Sequence, residues 1–195
     1  MLLNSKLNSV FIFLVFLIWS GNSIAQNSKT IAKEDLLFLK DMTQAVLNSS
    51  RIQPEQPMPH PFGFNKTGGT LIRPGGRDTY PAFWIRDYAM SLETGMVSVA
   101  EQRHMLKLTA ATQCDQTWIT KGGSMVPYGA IADHILVNNS KPVYFAGTYD
   151  LEEQGTPAFG MFPPYCDQFY FIKMAYHYVN TTGDLKILST AINGI

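Results

Sequence analysis

The sequence predicts an all-α fold built from helices in sequential pairs, and three observations carry that expectation. Apolar residues recur at helical spacing in segments spread from Lys33 to Ile192. Long stretches rich in glycine and proline separate those segments, and only two short runs, Ser124–Tyr128 and Pro142–Phe145, read as strands. Helix pairs joined this way either stack as a solenoid or close as an α/α toroid, and the lack of a fixed-period repeat favours the toroid.

Taken in order, Met1–Ser9 carries a single charge, Lys6, and leads into the apolar run Val10–Trp19. A helix needs roughly 20 apolar residues to span a bilayer, so this run is too short. Ser23-Ile24-Ala25 has the small-x-small form of a cleavage site, and residues 1–25 therefore read as a signal peptide that exports the chain to the periplasm or beyond the cell. An uncleaved membrane anchor is the alternative.

Residues 26–195 are enough for one ordinary domain with a sizeable core. Basic and acidic residues number 15 each, so losing Lys6 leaves a net charge near minus one. With no basic run either, nucleic acid and anionic membrane are not expected partners. Two cysteines, Cys114 and Cys166, are too few for a disulfide framework. A single bridge and two buried thiols both stay open.

Lys33–Ser50 places Leu36, Leu39, Thr43 or Val46, and Leu47 at helical spacing, with acids at its start. Prolines and glycines crowd the chain from Arg51 to Pro81 and exclude a regular helix, and a long loop of this kind usually serves a site. Phe83–Val99 and Glu101–Thr112 read as two helices with a break near Ala100. From Thr120 to Pro164 the chain is again loop-like. Asp167–Asn180 is apolar nearly all round, with Lys173 and His177 on one stripe, which is the pattern of a buried helix. Gly183 and Asp184 then supply a helix stop and an N-cap, and Leu185, Leu188 and Ile192 restart the pattern as the second arm of a tight αα-hairpin.

Trp84-Ile85-Arg86-Asp87 is the most informative cluster. A helix start leaves free N–H donors beside these side chains. Trp84 offers a flat face on which a sugar ring can stack, while Arg86 and Asp87 offer directional hydrogen bonds to hydroxyls. The alternative is a core tryptophan beside a local Arg86–Asp87 pair or cap. Tyr165-Cys166-Asp167-Gln168 repeats the arrangement at the start of the later apolar helix, so that both helices begin with an exposed acid, although Asp167 also fits an ordinary N-cap. Tyr149, Asp150, Glu152 and Glu153 lie in the loop before it, the two glutamates reading as a solvated face. His60, His104, His134 and His177 have no metal-ligand spacing, and no glycine-rich phosphate loop or nucleophile elbow is present. Neither a metal nor a cofactor is expected.

Tyr80–Ala89, with its W-x-R-D element, resembles the opening of the second helix in six-hairpin glycosidases such as glucoamylases and their bacterial relatives. Pro163–Gln168 is similar to the acid-bearing entry of their fourth helix. The resemblance runs from about Phe62 to Gly183. It implies an incomplete (α/α)6 barrel in which inner helices present their N-termini to one pocket. Arg86 and Asp87 match the pair that binds sugar hydroxyls in the subsite before the cleaved bond, Trp84 the neighbouring aromatic, and Asp167 a second sugar-contacting acid. The family's catalytic acid and base come from later loops, which would put them C-terminal to Ile195. The resemblance thus implies the N-terminal part of an inverting glycoside hydrolase, inactive alone, acting on an oligo- or polysaccharide. Rivals are a polysaccharide lyase or sugar epimerase on the same architecture, with a tyrosine, His60 or His134 as base, and a non-catalytic carbohydrate-binding protein.

Overall fold

The computed structural model describes residues 31–74, 80–148, 153–156, 158 and 160–192. The signal-peptide assignment for residues 1–25 lies outside them, as do Tyr149, Asp150 and Glu152. The chain divides into two compact units, Met1–Asp41 and Met42–Ile195. In the first, every described residue is exposed.

The all-α expectation is overturned. Among the described residues 43% are helical and 12% in strands, with four α-helices beside several antiparallel sheets, so the fold is mixed. The helices are α1 (Lys33–Ser50), α2 (Ile85–Ser91), α3 (Val99–Ala111) and α4 (Cys166–Thr182). The strands are β1 (Arg51–Ile52), β2 (Leu71–Ile72), β3 (Ala82–Trp84), β4 (Trp118–Ile119), β5 (Met125–Val126), β6 (His134–Leu136) and β7 (Pro142–Val143). They pair as β1–β2, as β4–β5, and as a three-stranded sheet in the order β3-β6-β7. Each is two or three residues long, too short to show the alternation by which a strand is recognised in a sequence.

Lys33–Ser50 forms the helix expected of it. The break expected near Ala100 comes earlier. α2 runs into a 3-10 turn, Leu92–Thr94, which Gly95 ends in the left-handed conformation at φ 67°. Ser98 then caps α3: its side chain accepts from the Glu101 N–H while the Glu101 carboxylate accepts from the Ser98 N–H, so two end donors are satisfied reciprocally. Gly183 stops α4 at φ 71°, but the chain continues as a 3-10 turn, Leu185–Ser189, and not as the second arm of an αα-hairpin. Asp184 caps nothing with its side chain and instead accepts from the Tyr178 hydroxyl at 3.2 Å.

One hydrophobic core joins the sheet to the helices. Phe83, Ile85, Tyr88 and Leu92 from β3, α2 and the 3-10 turn meet Ile131, Ile135 and Phe145 from the β6–β7 region, and α4 adds Met174 and Tyr178. α4 packs on both α2 and α3. Its pattern predicts burial on most faces, yet only one side is covered. Asp167, Met174 and Tyr178 are buried, whereas Phe169, Ile172 and Tyr176 are exposed.

Candidate functional site

β3 passes into α2 without a connecting loop, and this junction builds the site. Trp84 is still extended, at φ −93° and ψ 127°, and the next residue is helical. β6 runs antiparallel to β3 in a register that sets Phe83 opposite Ile135 and Trp84 opposite His134. The Ile85 N–H, one of the donors that a helix start leaves free, bonds to the Asp133 carbonyl at 3.1 Å. Asp133 is thereby fixed beside the first turn of α2.

Arg86 reaches from that turn into a cluster of carboxylates. Its Nη1 donates to Asp133 Oδ1 at 2.5 Å and to Asp167 Oδ1 at 3.1 Å, with Cys166 Sγ at 3.9 Å. The other Asp133 oxygen meets His134 Nδ1 at 2.8 Å. Asp133, His134 and Asp167 have no solvent exposure, while the Arg86 side chain keeps 27%. Among the described residues Nε and Nη2 of Arg86 have no acceptor, so one edge of the guanidinium is anchored and the other is available. Trp84 stacks on the His134 ring with centroids 4.8 Å apart and meets Tyr80 edge-on at 5.2 Å.

The electrostatics reflect this crowding. Burial alone would lower the Arg86 pKa, but Asp133 and Asp167 outweigh it, and the guanidinium is held charged more firmly than usual. For Asp167, burial together with the Asp133 charge prevails over Arg86 and pushes its pKa up to about 7. Its Oδ2 is buried without a hydrogen-bond partner, so no donor there offsets the cost of burying the charge. Asp87 is half-buried, and burial raises its pKa against the opposing pull of Arg86.

The structure thus brings Trp84, Arg86, Asp87 and Asp167 to one place, at the meeting of the starts of α2 and α4. It corrects one expectation and decides two points that the sequence left open. Asp167 is a buried ion-pair partner, neither an exposed acid nor an N-cap; Tyr165 holds the cap position. Arg86 pairs across the fold, not with its neighbour Asp87. Both cysteines are free thiols, Cys114 buried and Cys166 half-buried. Asp133, which no motif marked, is the hub of the cluster. Its signal in the sequence is an acid inside the apolar run Ala130–Val137, a position that demands a partner if it is buried.

A separate depression of about 580 Å³ lies between the 51–70 loop and the start of α3, lined by Arg51, Gln53, Thr70, Ser98, Glu101 and His104. The Arg51–Glu101 ion pair, at 2.6 Å, forms part of its wall. Among the described residues no group of three or more histidines, cysteines or acids is placed to hold a metal ion. No helix among them is long and apolar enough to cross a membrane. No family model, curated protein or solved structure matches the chain.

Proposed function

We propose that this chain holds carbohydrate for a glycoside hydrolase, and that it is exported by a leader over residues 1–25. One observation carries the reading: Arg86 is anchored from behind by two sealed carboxylates and keeps an unused donor edge beside half-exposed Trp84 and half-buried Asp87. A flat aromatic face with a fixed planar donor fork and an adjoining acceptor suits a sugar ring and its neighbouring hydroxyls.

Asp133 and Asp167 are not the hydrolytic pair on this reading. Inversion needs two carboxyls about 6.5–9.5 Å apart with a water between them. These two converge on one nitrogen, at 2.5 and 3.1 Å, and neither reaches solvent. They position Arg86. Burial also argues against His134 as a base for a lyase or epimerase, since its ring lies sealed under Trp84. The sealed carboxylates equally suit a protein that binds sugar without cleaving it.

The test is titration of the purified chain against a panel of neutral oligosaccharides by calorimetry. Hydrogen bonds to charged groups contribute about 1.5–3 kcal/mol, so Asp87→Asn is expected to weaken binding by one to two orders of magnitude. Trp84→Ala should do the same, with the melting curve of Asp87→Asn unchanged. The reading fails if no panel member binds, or if Asp87→Asn unfolds the protein while its folded fraction binds as before.

A further inference from the structure

α4 is turned in an unusual way. Its polar stripe runs along the flank of the covered side: Lys173 donates to the exposed Glu93 at 2.5 Å beside α2, and His177 lies 3.2 Å from Gln102 on α3. Four exposed residues at its start and along its outer side are apolar or aromatic. Tyr165 is 67% exposed, Phe169 71%, Ile172 63% and Tyr176 70%. These four follow one another at intervals of four, three and four residues, the spacing of a helix–helix seam, and none is charged.

Three aromatic rings and one isoleucine at these exposures present roughly 600 Å² of apolar surface along a stripe about 17 Å long. That is at the upper end of what a monomer leaves uncovered, about 300–600 Å². With a polar rim, two such faces together reach the roughly 1,200–2,000 Å² buried by stable protein pairs.

We infer that this face is a homodimer interface, formed by α4 packing on α4 of a second copy across a two-fold axis. Self-complementarity points to a second copy. The stripe is symmetrical about the midpoint between Phe169 and Ile172, so an antiparallel two-fold sets Phe169 of one copy against Ile172 of the other and Tyr165 against Tyr176. Every residue of the stripe then meets an apolar one. Lys173, the flanking cation, is already held by Glu93, so no like charges face each other across the axis. Two helices meeting through such seams cross at a shallow angle, about 20°.

Sedimentation velocity of the full chain at micromolar concentration tests this. The expected result is one species of about twice the 21.8 kDa chain mass. Phe169→Glu and Ile172→Glu each put a charge into the centre of the seam and should weaken the pair at least a hundredfold while leaving the circular dichroism unchanged. Should either charge disturb the monomer, Phe169→Ala, which alters no charge, should still weaken the pair about tenfold. A chain that stays monomeric at about 50 μM, a dimer that survives both glutamate substitutions, or a polydisperse aggregate in place of a dimer would each overturn the inference.

Discussion

Asp133 serves two partners with its two oxygens, accepting from Arg86 through Oδ1 and meeting His134 Nδ1 through Oδ2, with no contact with solvent. Asparagine keeps the shape and loses the charge, and its amide cannot accept on both sides. Breaking a buried ion pair costs about 3–5 kcal/mol, and the 27% exposure of Arg86 screens part of it, so Asp133→Asn should destabilise by about 2–4 kcal/mol in urea unfolding. Asp87→Asn should stay within about 0.5 kcal/mol, since among the described residues no other element bonds to that carboxylate. Equal losses in the two variants would remove Asp133 from the centre of the cluster. At this scale the sequence was half legible. Trp84, Arg86, Asp87 and Asp167 stood out because their types and spacing advertise them. Asp133 did not, because what makes it a partner of Arg86 is a strand pairing, Phe83 with Ile135 and Trp84 with His134, across some fifty residues of chain.

Helices were readable as elements, α1 over its full length and α4 to its Gly183 end, whereas α3 was expected from Glu101 and its Ser98 cap was not marked. Strands of two or three residues were not, because their pairing is set by turns and by neighbouring chain instead of a repeating pattern. The loop of residues 51–70 shows such a turn network. Asn65 Nδ2 donates to the carbonyls of Ile52, Gln53 and Gly69 at 2.9–3.1 Å, and its Oδ1 accepts from Thr67, which in turn lies 3.2 Å from His104 Nε2. Gly69 lies flat on the imidazole, so that a Cβ there would sit 2.3 Å from His104 Cγ. Gly69→Ala must push the ring aside, at a cost of about 1–3 kcal/mol. If the ring is the cause, the penalty largely disappears in a His104→Ala background, and a double-mutant cycle should return a coupling of about 1 kcal/mol or more. An unchanged penalty in that background would place the strain in the backbone.

The described fold departs from the expected helical toroid because its helices are joined through sheet: β3 feeds α2 directly, β6 lines that junction, and α4 packs on α2. That packing holds Arg86 between Asp133 and Asp167, so global stability should record the titration of Asp167. Its folded pKa is near 7, against an ordinary value of 3.8. Below the ordinary value both the folded and unfolded chains hold this proton, and the group contributes no pH dependence. Between about 4 and 7 the folded chain retains a proton that the unfolded chain has released, so stability falls as pH rises through that window and levels off above it. Other groups titrate in the same range. Burial raises Asp87, which acts in the same sense, whereas for Glu101 burial is outweighed by hydrogen bonds from Arg51 and Ser98, which lower its pKa and act in the opposite sense. Comparison with Asp167→Asn removes them, because both proteins share them and asparagine keeps the acceptor toward Arg86 without titrating. Denaturant unfolding at pH 5 and pH 8 should therefore show the variant gaining on the native chain at the higher pH, where ionised Asp167 stands beside Asp133 with Arg86 as their shared cation. A difference between the two proteins that stays flat across the window would mean that Asp167 is ionised at both pH values and that Arg86 outweighs both burial and Asp133.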